Sequence, residues 1–243
     1  MSGLAVMLIA MGIADACRRL TRFLWIPLVV APIAVAGTAA LAGLWHLGDI
    51  ALLLTAVAAS VGWLVLSART ERTGDREWAA LAIFGVAVCL LSVLSGWGSD
   101  VGGLIVRWPS WVGLDVAPDR LLMITGVVLL QLVTGNQLVR LLLGSVGAVK
   151  PVGEPQPSDK LKGGRLLGPM ERLLILGLGL AGQLAAATAV VAAKSIIRFP
   201  EINAQKAREN GSIGIDDVTE YFLVGSFASW IVALGGLALT VAL

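Results

Sequence analysis

Long apolar runs alternate with short polar connections along this chain, and the lengths of the runs decide what they can become. Leu24 to Leu47, Ile50 to Ala68, Trp78 to Trp97, Leu121 to Gly144, Met170 to Lys194 and Thr219 to Leu243 are the long runs. Each has roughly the 20 residues that a helix needs to cross a hydrocarbon core about 30 Å thick. None alternates with a period of two, so helices are expected and barrel strands are not. The first apolar stretch, Gly3 to Ala16, is shorter and carries Asp15, which reads as a tilted or partial helix. The expected fold is all-α, a polytopic transmembrane helical bundle with six membrane segments plus a short N-terminal one.

The polar interruptions divide the bundle. Residues 1–148 form an N-terminal membrane unit, residues 149–168 a Pro-, Gly- and Lys-rich hydrophilic linker, and residues 169–243 a C-terminal membrane helix pair. Pro27 and Pro32 predict a kink early in the first long run. Ala36 with Ala40, Ala39 with Gly43, and Gly225 with Ser226 and Ser229 predict surfaces where helices approach closely. Ser99 to Pro118 is too broken by Gly and Pro to span, and Trp108 and Trp111 suggest that it rests on the outer membrane surface.

Charge bears on sidedness. If residues 170–194 cross once as a continuous helix, the expected course, twelve Lys and Arg lie inside and six outside. If the run bends back at Ala181-Gly182-Gln183 as a re-entrant hairpin, sixteen lie inside and two outside, the better fit to the positive-inside rule. Against the hairpin stands LAAATAVVAA, which has the composition of an ordinary helical core.

Composition sets the solvent. The chain is 57% hydrophobic and 14% charged, far from a soluble domain, and the lipid bilayer is its first partner. A net charge of +2, with basic residues scattered among the connections, argues against nucleic acid. No basic residue precedes the first apolar stretch, so no cleavable signal is expected. Cys17 and Cys89 lack metal-ligand or disulfide spacing and read as packing residues. His46 is the only histidine, and no nucleophile motif is present, so neither metal nor cofactor nor catalytic residues are expected. Gly177, Gly179 and Gly182 spell G-x-G-x-x-G, but with no preceding strand they read as helix packing.

What remains is a short set of polar side chains at membrane depth, costly there and candidates for function: Asp15, Gln131, Asn136, Gln183, Lys194 and Glu220. Gln131 and Thr134 lie three apart on one helical face. Lys194 and Glu220 can pair if the C-terminal helices are antiparallel. These residues are expected to line the polar path or gate of a small channel or carrier formed by a homo-oligomer. A structural or regulatory subunit anchoring a partner protein at the cytoplasmic linker is the first alternative. A membrane enzyme acting on lipid-linked substrates, with carboxylates such as Asp15 and Glu220 converging, is the second.

The segments ERLLI, AGQ, AAKSIIRFPEI and EYFLVGS over residues 171–226 resemble the C-terminal part of a family of uncharacterised bacterial inner-membrane proteins, catalogued as a domain of unknown function. LIAMGIAD, residues 8–15, is loosely similar to that family's N-terminal pattern, with Met11 where the family has a histidine. The resemblance implies a multi-pass protein of the bacterial cytoplasmic membrane and supplies no activity.

Overall fold

A computed structural model describes residues 1–74, 76–111, 113, 115–149, 164–193, 196 and 215–242. Over these residues the protein is all-helical: α1 Ser2–Leu20, α2 Trp25–Ala42, α3 Leu47–Thr73, α4 Glu77–Val93, α5 Gly103–Trp111, α6 Pro118–Leu129, α7 Gly135–Ser145, α8 Gly164–Leu180, α9 Leu184–Ala193 and α10 Ile215–Val241. A 3-10 turn, Leu94–Trp97, extends α4, and a π-turn, Leu130–Thr134, joins α6 to α7. Five stretches are long and apolar enough to cross a membrane: Trp25–Ala42, Leu47–Thr73, Glu77–Trp97, Pro118–Ser145 and Thr219–Val241.

The short N-terminal piece is the centre of the bundle. Leu4 to Met11 of α1 are buried without interruption, and the helix packs against α2, α3 and α6. A helix apolar on every side gains most by being surrounded, which its modest length concealed. Small residues let it in: a Cβ on Gly12 would stand 2.7 Å from the Leu129 Cβ, and one on Gly126 would stand 3.0 Å from the Ala5 carbonyl oxygen. At its C-terminal end Arg18 and Arg19 complement the helix dipole, and the Thr21 hydroxyl and amide both donate to the Cys17 carbonyl.

On α2 the buried stripe is Ala31, Val35, Ala39 and Ala42, so Ala39 packs as expected while Ala36 and Ala40 face outward. Gly43 ends that helix at φ 68°, and the Gly102 amide donates to the Ala42 carbonyl at 2.7 Å. The same end of the bundle is tied by Asp49. Its carboxylate accepts from the Ser99 hydroxyl at 2.6 Å, the Ser99 amide at 2.8 Å and the His46 amide at 3.0 Å. Replacing Asp49 by Ala should destabilise the protein by about 2–3 kcal/mol, because the backbone donors it serves are left bare. Ser99→Ala keeps the amide bond and should cost about 1 kcal/mol. Denaturation of the purified protein by SDS compares the two, and equal stabilities would remove Asp49 from this role.

The C-terminal part departs from expectation. Residues 170–194 do not form one continuous helix: α8 stops at Leu180, Gly182 adopts φ 73°, and the chain restarts as α9. The Gln183 amide donates to the Leu178 carbonyl and the Gly182 amide to that of Gly179, a Schellman ending that only a residue tolerant of left-handed φ completes cheaply. The break falls on the triplet where the hairpin alternative placed it.

Nor are α8 and α10 antiparallel. Arg172 bonds Ser229, and Gly179 abuts Leu237, so residue numbers rise together along both helices. Ile175, Leu178, Ala187, Val190, Val191, Trp230 and Ala233 share one apolar cluster, which gathers α8, α9 and α10. Helix α8 also begins at Gly164, inside the stretch read as linker; residues 150–163 and 197–214 lie outside the described residues. The 9-residue α5, with Trp108 and Trp111 exposed, is too short to span.

Candidate functional site

A polar network occupies the interior around the π-turn. In a π-turn each amide reaches five residues back, so one extra residue enters the ladder and carbonyls are left over for other donors. Two arginines take them. The Arg172 guanidinium, 1% exposed, donates to the Gln131 carbonyl from Nε at 3.2 Å and from Nη2 at 3.0 Å. Its remaining donors reach the Asn136 Oδ1 at 2.6 Å and the Ser229 hydroxyl at 3.2 Å. Arg19, at the end of α1, donates to the Val133 carbonyl at 2.6 Å.

The geometry depends on glycine. A Cβ on Gly135 would stand 3.0 Å from the Leu130 carbonyl oxygen and 3.1 Å from Arg172 Nε. The planar fork of an arginine suits this place, since one group must satisfy a carbonyl, an amide oxygen and a hydroxyl that diverge. The Gln131 side chain, itself buried, donates to the Val232 carbonyl at 2.9 Å and so joins α10 to the same turn. Glu171 accepts from Trp230 Nε1 at 2.9 Å beside it.

On the other side of the π-turn lies Asp15, 2% exposed. Its Oδ2 accepts from Trp63 Nε1 at 3.0 Å, and Arg18 Nε stands 3.9 Å from its Oδ1. Arg18 donates in turn to the Ser67 hydroxyl at 2.8 Å and to Glu71 at 3.4 Å. Thr134, fully buried on the π-turn, lies near the Asp15 carboxylate. Side chains from α1, α8 and α10 therefore meet at one irregular turn, and α3 joins them through Asp15.

Of the six residues singled out from sequence, Asp15, Gln131 and Asn136 are brought to this network. Gln183 is exposed at the α8–α9 break, and Glu220 is exposed at the start of α10. Lys194 lies outside the described residues, and with it the proposed pairing to Glu220. Asp15 is sealed inside and Glu220 open outside, so the two carboxylates do not share a surface. Of the glycines in G-x-G-x-x-G, Gly179 abuts Leu237 and Gly182 ends the helix, while a Cβ on Gly177 would meet open space.

Arg172, Arg18, Arg19, Trp63 and Ser229 were not foreseen. The arginines sit at the ends of apolar runs, where sequence alone reads them as interface residues. The available signal was Thr134 three residues beyond Gln131, a polar stripe that needed partners. No group of three His, Cys, Asp or Glu could hold a metal ion among the described residues. Comparisons with protein-family models, with curated proteins and with solved structures find no match to this chain, so the site is read from its own geometry.

Proposed function

We propose that the protein is an integral membrane carrier of small polar or charged solutes, with the network around the π-turn as its polar site. The observation that carries this reading is the convergence of Asp15, Gln131, Asn136 and Arg172 on an irregular turn midway along the Pro118–Ser145 stretch. Ionisable groups at such depth are expensive and are functional candidates by default, and π-turns recur at functional positions. These groups close on one another rather than lining an open passage, which favours a carrier that alternates over a continuously open pore.

The topology that fits this reading has five spans, with α1 packed among α2, α3 and α6 and, at about 28 Å, long enough to cross as well. The parallel course of α8 and α10 supports the arrangement in which sixteen Lys and Arg lie inside and two outside. The end bearing Arg18 and Arg19 is then cytoplasmic, in a bacterial inner membrane by the resemblance of residues 171–226. Self-association through exposed faces belongs to the same proposal.

Vesicles reconstituted with the protein and screened on a solid-supported membrane test it at fixed pH, with a panel of inorganic ions, amino acids and sugars. A saturable transient current with at least one solute is expected, falling to the level of empty vesicles in Asp15→Asn. No current with any of them would overturn the carrier reading.

The second reading, a membrane subunit that anchors a partner, is favoured by one feature. An apolar depression of about 390 Å³ lies on α10 and α7, lined by Leu142, Phe222, Phe227 and Trp230 among others, and would accept a partner's helix. A stoichiometric partner that co-purifies, together with silent vesicles, would favour that reading.

A further inference from the structure

Two buried oxygens near the π-turn lack partners. Asp15 Oδ1 and Thr134 Oγ1 each lack a hydrogen bond, although Thr134 lies near the carboxylate. A buried ionised carboxylate ordinarily has both oxygens satisfied. Here Trp63 serves Oδ2, while the nearest cationic nitrogen to Oδ1, Arg18 Nε at 3.9 Å, is too far for a hydrogen bond. The other nitrogens of Arg18 are committed to Ser67 and to Glu71, whose side chain is 34% exposed. One arginine is thus shared between a sealed carboxylate and one that meets solvent.

We propose that Asp15 is a reversible proton-binding site and that Arg18 passes between Asp15 and Glu71 as the proton arrives and leaves. The inference rests on the carrier reading, which it deepens by naming the coupling ion. A proton from hydronium adds to Oδ1, one O–H bond forming as the hydronium's breaks and leaves water; the carboxylate becomes neutral, and no other covalent bond changes. The new O–H donates to Thr134 Oγ1, filling both vacancies at once, and Arg18 closes on Glu71. Release of the proton reverses each step.

The other charges on the surrounding helices are engaged elsewhere or exposed: on α3, Asp49 serves His46 and Ser99 and Arg69 and Arg72 are exposed, as is Arg120 on α6. On α1, Arg19 is turned to the Val133 carbonyl, and on α8, Arg172 is turned to that of Gln131. Helix α2 has no ionisable side chain. On α6, Asp119 accepts from the Val101 amide at the opposite end, and on α4, Glu77 lies beside Gly144. With Arg18 and Arg19 both close, a metal cation would meet like charge, whereas a proton bound to the carboxylate does not require a second anion.

Infrared difference spectroscopy of the protein in nanodiscs, titrated with acid, tests the site without reading transport. A carbonyl-stretch band of a protonated carboxylic acid is expected in the wild type and absent in Asp15→Asn. Asp15→Glu keeps a carboxyl, shifts the band, and serves for the assignment if the asparagine variant does not fold. In Glu71→Gln, Arg18 is left to Asp15 alone, the ionised form gains, and the midpoint should fall by about one pH unit. A purely structural Asp15 would give no band, and either that result or an unmoved midpoint in Glu71→Gln overturns the proposal. A band without vesicle current would overturn the carrier reading and leave the proton site standing; current without the band would do the reverse.

Discussion

Arg172→Met should destabilise the protein by about 2–5 kcal/mol and abolish the π-turn. The lower figure takes the four hydrogen bonds of the guanidinium at about 0.6 kcal/mol each, the average for bonds between helices in a membrane bundle. The upper figure applies if the Gln131 carbonyl, Asn136 and Ser229 are left stranded when a buried charged partner is stripped away. Methionine matches the volume but supplies no donor, so packing loss contributes little to the difference. Arg172→Lys should recover less than half of the loss, because a single ammonium cannot reach three acceptors that diverge around it. SDS denaturation followed by tryptophan fluorescence reports the stability, since Trp230 lies one residue from Ser229. A lysine variant as stable as the wild type would show that only the charge matters, not the fork.

Gly12→Val should be the most damaging change in α1. Even the first added carbon would stand 2.7 Å from the Leu129 Cβ, closer than real side chains approach, and valine adds two more. Forcing atoms into a packed core costs about 1–3 kcal/mol where the surroundings can shift. Here the neighbour is α6 itself, so α1 must move along its whole length and the penalty should reach the top of that range. The double variant Gly12→Val with Leu129→Ala should regain about 1 kcal/mol or more, because the clash and its relief involve the same two positions. If Leu129→Ala merely adds its own loss to that of Gly12→Val, the helices do not meet at this crossing.

These two positions also show where the sequence is readable. Asp15 is visible as an unusual member of an apolar run, whereas Gly12 is not, and α1, only 19 residues long with three charges, reads from its length as a partial helix. Burial depends on what surrounds a helix, and nothing in residues 2–20 says that three others will close around them. Arg172 fails in the opposite direction. An arginine beside an apolar run is ordinarily placed at the interface, where water offsets the cost of its charge. Its burial makes sense only once the π-turn has released a carbonyl to receive it, and that turn lies 41 residues away in sequence.

The α8–α9 break lies between these cases. Gly182 was legible as a possible hinge and charge favoured a return, but LAAATAVVAA has the propensity of a continuous helix. What decides is the parallel packing of α8 on α10, through Arg172 with Ser229 and Gly179 with Leu237, which requires the chain to come back. No local preference encodes that direction.

Hydrophobic run length determined, from the sequence alone, that the chain is a bundle of membrane-length helices, and the cost of polar groups in lipid picked out Asp15, Gln131 and Asn136 together with Lys194 and with Gln183 and Glu220, which are exposed. Both follow from transfer free energies that each residue carries wherever it sits. The central place of α1, the reversal after Leu180 and the arginines that fill the π-turn were decided only in three dimensions. They depend on hydrogen bonds and close contacts between residues far apart in the chain, whose energies exist only after the helices have met.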